Sequence, residues 1–200
     1  VHGDVFVKRG DGANGPVSVG DMLSTGSTID TPADGRAVLT RGETSMTVAP
    51  SSEVTLAADG GDGSMTTIFQ KIGSVLYTVE KQSDQHFEVE TPFLAAVVKG
   101  TSFTVGVNNS AAVTHVVEGA VEVTSFGNQQ KQMVRPGQTV TVSNANGLQL
   151  EMSHNRGGSQ AVAAVDPSED GSSDAKGNKG GKRVVDRTLG VTDIDIANVT

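Results

Sequence analysis

The sequence contains no cysteine and no tryptophan in 200 residues. A disulfide scaffold and a thiolate metal centre are therefore excluded. Leucine is scarce, with 8 residues against 29 valines and 20 threonines. β-Branched side chains lose rotamer freedom in helices and fit a pleated surface, so this imbalance points to an all-β chain. Long apolar runs are missing too. The longest is Phe93 to Val98, far short of the ~20 residues that cross a bilayer as a helix. Basic residues are outnumbered, 15 to 23, for a net charge of −8. Duplex nucleic acids and anionic membranes select the opposite balance, so neither is an expected partner. The chain opens at Val1 with no charged and apolar leader, which reads as a mature or excised fragment whose signal peptide or anchor would lie outside it.

Glycine is abundant instead, at 25 residues. Turn dipeptides such as Asp34-Gly35, Asp62-Gly63 and Asn146-Gly147 punctuate short Val/Thr runs. Asp-Gly and Asn-Gly supply the positive φ that tight turns require. Strands are predicted at Val5–Val7, Arg36–Thr40, Thr44–Val48, Glu53–Ala57, Met65–Gln70, Val75–Val79, Phe87–Glu90 and Phe93–Val98. They continue at Phe103–Val107, Ala112–Val117, Val121–Thr124, Lys131–Val134, Thr139–Ser143 and Leu148–Met152. Spacing of this kind suggests a sandwich, barrel or solenoid rather than βαβ units. The openings Gly3-x-Val5-x-Val7, Gly73-x-Val75-x-Tyr77 and Gly119-x-Val121-x-Val123 form a faint internal repeat. Such repetition favours a short β-solenoid, or β-helix-like domain, over residues 1–152.

Composition shifts near residue 153. Residues 166–183 hold no Val, Ile, Leu, Met or aromatic side chain, and such a stretch cannot bury enough surface to offset its ordering entropy. The expected organisation is a β domain over 1–152, a flexible Gly/Ser/Asp/Lys-rich linker over 153–183, and a strand segment over 184–200. In that last segment Val191, Ile194 and Ile196 are the candidate protein-interaction residues. Asp193 and Asp195 alternate with the two isoleucines, as in a strand that adds to a sheet edge on its own domain, another copy or a partner.

The chemistry-bearing motifs are sparse. No G-x-S-x-G elbow occurs, and His2, His86, His115 and His154 are scattered without metal-binding spacing. The Gly177–Arg183 stretch has Lys176 and Arg183 where a phosphate loop needs Gly and Ser or Thr. Asp59 and Asp62 sit in a Gly/Asp loop that offers oxygen ligands of the kind calcium takes. A single such loop reads as a plain turn, so no cofactor is expected and calcium at Asp59 and Asp62 is the one weak candidate. Arg9-Gly10-Asp11 reads as a turn. No catalytic residues are assigned, and the chain is expected not to be an enzyme.

An ordered set of motifs remains. Val19-Gly20-Asp21 precedes Gly26-x-Thr28-Ile29-x-Thr31, followed by Gly35-x-Ala37-x-Leu39 and Val48-Ala49-Pro50-Ser51-Ser52. Phe87-x-Val89-x-Thr91-Pro92, then Val97-Val98-Lys99-Gly100-Thr101-x-Phe103-x-Val105, then Val117-Glu118-Gly119-x-Val121 and Pro136-Gly137-Gln138 complete it. From Gly3 to about Met152 the chain resembles the FecR domain of bacterial envelope proteins. The resemblance implies a β-helix-like, non-enzymatic module in the periplasm or at the cell surface, which senses, signals or binds protein. Its implied partner is another envelope protein or a further copy of itself. The alternative function is a structural or filament subunit that assembles by strand addition of its C-terminal segment. The family offers no catalytic residues, and Gly100, Thr101 and Gly119 are expected to be structural.

Overall fold

A computed structural model describes residues 1–10, 12–57 and 65–154. The first strands are β1 (Phe6–Lys8), β2 (Asn14–Pro16), β3 (Thr28–Thr31), β4 (Ala37–Arg41), β5 (Thr44–Val48) and β6 (Ser52–Leu56). The long β7 (Thr66–Thr78) precedes β8 (Phe87–Glu90), β9 (Leu94–Val98), β10 (Ser102–Val107) and β11 (Ala111–Glu118). Last come β12 (Val121–Ser125), β13 (Lys131–Val134), β14 (Gln138–Ser143) and β15 (Leu150–His154). The helical content of the described residues is one 3₁₀ turn, Asn144–Asn146. No helix among them is long and apolar enough to cross a membrane.

These strands form one open 15-stranded sheet, folded into two layers. The first layer runs β2-β1-β3-β6-β7-β8-β9-β12-β13. The second runs β4-β5-β7-β10-β11-β14-β15. Only β7 belongs to both. Its first half, Ile68 to Ile72, pairs with β6, and its second half, Gly73 to Thr78, pairs with β10. Side chains alternate along each strand, so one face of each layer points inward. Val54, Val89, Val98 and Val123 from the first layer join Val48, Val75, Val105 and Val140 from the second in a single buried cluster.

The crossing at β7 has a definite cause. Gly73 adopts φ +98°, a conformation that costs an L side chain strain. A Cβ there would also collide with Ser52. The backbone can therefore bend against β6 and leave one layer for the other. Beside the bend, Gln70 is buried in the core. Its amide donates to the carbonyls of Gly73 (3.1 Å) and Val105 (3.0 Å), and its Oε1 accepts from the Tyr77 hydroxyl (3.0 Å). Tyr77 stacks on Phe103 and meets Phe87 edge-on, with ring centroids at 5.2 and 5.9 Å. Burial pushes the Tyr77 phenol pKa up, so it stays a hydroxyl donor.

The expected all-β class is what the structure shows. The pairing is not that of stacked parallel coils: β7 and β8 are parallel, while the other described pairs are antiparallel. The repeat glycines Gly3, Gly73 and Gly119 all have positive φ, and they precede or divide strands where the chain enters a layer. Val75–Val79 and Met65–Gln70 are one strand rather than two. Strand β15 runs to His154, two residues past the expected boundary at Met152. Asp11, Asp59 and Asp62 lie outside the described residues, as do Val191, Ile194 and Ile196.

Two core substitutions test these polar contacts against each other. Thr114 is fully buried and its hydroxyl has no hydrogen-bond partner. Thr114→Val keeps the shape and removes the desolvated hydroxyl, so it should raise stability by about 1 kcal/mol. Tyr77→Phe orphans Gln70 Oε1 and should lower stability by about 1–3 kcal/mol. Urea denaturation of both variants checks the opposite signs.

Candidate functional site

Where the chain passes between layers it builds a corner from three segments: 79–86 after β7, 99–101 between β9 and β10, and 118–120 between β11 and β12. Val79 and Thr101 exchange backbone hydrogen bonds of 3.0 and 3.2 Å, and Gln82 N donates to Lys99 O at 2.8 Å. Thr101 is buried, and its hydroxyl donates to Ala120 O at 3.0 Å. Gly100 adopts φ +137°. A Cβ on it would lie 2.5 Å from Lys81 Cα, and one on Gly119 would lie 2.6 Å from Gly100 O. Both glycines are there because three backbones converge more closely than side chains allow.

The structure thus brings together Gly100, Thr101 and Gly119, which the sequence analysis singled out as structural. They also line a groove of about 570 Å³. Lys81, Lys99, Asp84 and Glu118 stand exposed around it, with Glu122 half-buried and Met133 40 % exposed on one flank. The groove offers both signs of charge beside an apolar patch. That combination suits a polypeptide segment, whose main chain and mixed side chains need donors, acceptors and a hydrophobic anchor. Sequence analysis missed Lys81, Lys99, Glu118 and Glu122. A signal was present: Lys99 and Glu118 each stand immediately before a corner glycine, which places a charge on the rim of the turn.

The flank of the groove is acidic. Glu88, Val97, Glu122 and Met133 lie in register across β8, β9, β12 and β13. Lys131 pairs with Glu122 at 3.3 Å. Burial, and then the neighbouring Glu90 charge, raise the Glu88 pKa from its ordinary value. Among the described residues no cluster of His, Asp and Glu could hold a metal ion.

Two substitutions follow from this geometry. Gly100→Val should destabilise the domain by about 1–3 kcal/mol through left-handed strain and the Lys81 clash, measured as a lowered urea midpoint. For Glu88 the folded state binds the proton more tightly than the unfolded state, so this group costs stability above the carboxylate range and the cost is relieved as pH falls. Glu88→Gln should raise the melting temperature at neutral pH. The gain should vanish once the solution is acidic enough to protonate Glu88 in both folded and unfolded chains.

Comparison with known proteins supplies the remaining observations. The family model described as FecR protein matches residues 27–122, from just before β3 to the second residue of β12. That span includes the Gly73 crossing and all three segments of the corner. It is narrower than the resemblance read from the sequence, leaving out β1, β2 and β13 to β15. Two crystal structures of a chain named as a putative anti-sigma factor from Parabacteroides distasonis superpose with a TM-score of 0.56 at 18 % identity. The match covers 64 % of this chain and 59 % of theirs, so it spans about three fifths of their length and shows a shared fold. No curated protein sequence matches the chain.

Proposed function

We propose, from the premise that residues 27–122 carry a FecR domain, that the chain is a non-enzymatic module of envelope signalling in a bacterium. It works by binding protein rather than by chemistry. The structural neighbours bear an anti-sigma name, which supports a signalling role over a purely structural one. The single observation that carries the reading is the coincidence of two things at the corner. The residues Gly100, Thr101 and Gly119, on which the fold's layer crossing depends, also form the wall of a groove with charge of both signs.

In this reading the groove takes a segment of another envelope protein, with Lys81 and Lys99 on acceptors and Met133 as the apolar contact. The module stands outside the cytoplasm, in the periplasm or at the cell surface. No cofactor is needed for such a role.

The test is genetic. Removing residues 27–122 from the chromosomal copy should change a restricted set of transcripts. The double variant Lys81→Glu/Lys99→Glu should reproduce that change while the protein remains folded and abundant. Transcript levels equal to the parent in both strains would sink the signalling role. A change in the deletion strain alone would move the binding surface away from the groove.

A further inference from the structure

The two outer faces of the folded sheet differ in charge. The first layer presents Asp30, Glu53, Glu88, Glu90 and Glu122 outward with three cations, Lys8, Lys71 and Lys131, of which the last two are held in ion pairs to Glu53 and Glu122. On the second layer one row runs in register through Val38, Thr47, Leu76, Thr104, His115, Thr139 and Ser153. The next runs through Ser74, Gly106, Val113, Thr141 and Glu151. Glu151, on the edge strand, is the one carboxylate in the two rows. Four of the ten exposed large hydrophobic residues among the described residues, Val38, Leu76, Val113 and Val117, sit on this face. Val38 and Val117 are 55 % and 58 % exposed. At the centre of the face, Gly106 has nothing within 4 Å of where a Cβ would stand, so the surface is flat and open there.

We infer that the outer face of the second layer, centred on Thr104 and Gly106 of β10, is where two copies of this chain associate face to face. The occupant follows from charge. A chain of net charge −8 repels its own copies over most of its surface. Carboxylates stand at the margins of this face, Glu151 on the edge strand and Glu118 opposite Ser102, so two copies can meet over its centre without opposing them. Hydroxyl and β-branched side chains on a flat sheet pack against their own kind, as in the inner faces of sandwiches, at a separation of about 10 Å. Seven strands spaced roughly 4.8 Å apart give a face about 30 Å wide. That extent is at the small end for a specific interface, so the dimer is reversible and depends on concentration. The groove at the corner is a separate feature, and the inference does not rest on its assignment.

Sedimentation of the full chain, from low micromolar to near-millimolar concentration, should show the mass rising toward twice 20.5 kDa. Added salt should strengthen association, because it screens the remaining repulsion between acidic copies. Leu76→Lys/Val113→Lys should hold the chain as a monomer with an unchanged thermal transition. The absence of native cysteine allows a second arm that does not depend on that variant folding. Thr104→Cys should yield covalent dimers with a short bismaleimide, which spans the gap between packed sheets. Thr124→Cys, on the acidic outer face of β12, should not. A monomer at every concentration and salt would overturn the inference, as would equal cross-linking through Thr104→Cys and Thr124→Cys.

Discussion

The fold depends on one strand being allowed to belong to two layers. Strand β7 can do so because Gly73 bends where a side chain would strike Ser52. The bend would leave polar backbone groups inside the core. Ser52 meets part of that demand: its hydroxyl accepts from Ser74 N at 3.1 Å, and Thr31 Oγ1 accepts from Ser52 N at 3.0 Å. Gln70, on the half of β7 that pairs with β6, meets the rest by donating to the carbonyls of Gly73 and Val105 in the second layer. Buried polar groups are costly when half satisfied. Among the described residues no buried side-chain donor or acceptor at the crossing lacks a partner, and Tyr77 packs against Phe87 and Phe103 beside them.

The same requirement recurs at the corner beside the groove. There the chain changes layer at separate connections, and backbone approach again sets the residue type. Gly100 and Gly119 contribute no side chain, Thr101 ties the 118–120 segment by its hydroxyl, and charged residues are displaced to the rim. The binding surface and the fold are thus made by the same few residues. Separation of the two roles lies in the rim, where Lys81 and Lys99 carry charge without carrying the corner.

Most strands were legible because inward valines alternate with outward polar residues. Thr44–Val48, Phe87–Glu90 and Lys131–Val134 have the boundaries that their alternation predicts. Strand β7 was read as two because Lys71, Ile72 and Gly73 interrupt the pattern at the point where its inward face is handed from one layer to the other. Strand β2, Asn14–Pro16, was missed since Asn-Gly reads as a turn. The turn in fact precedes it, closed by Arg9 N to Ala13 O at 2.8 Å. The glycine repeat suggested a short β-solenoid, and the largely antiparallel pairing does not show one. A repeat marks where a chain enters a layer, and it carries no information about the direction in which neighbours run. The corner glycines stood out in the sequence through their place in the ordered motifs. The groove they wall did not, since it needs three segments spread over some forty residues to meet.

The alternation between layers also governs how the chain can be assembled in time. Counted along the sequence, β3 pairs with β6, β7 with β10, β9 with β12 and β11 with β14. No described strand waits for a partner more than three strands ahead. A chain delivered from its N-terminus, whether by a ribosome or through an export channel, can therefore add each new strand to an edge that already exists, except β4, which waits for β5. The unpaired edge exposed at any moment is short and soon covered, which limits the interval in which nascent chains could pair with one another.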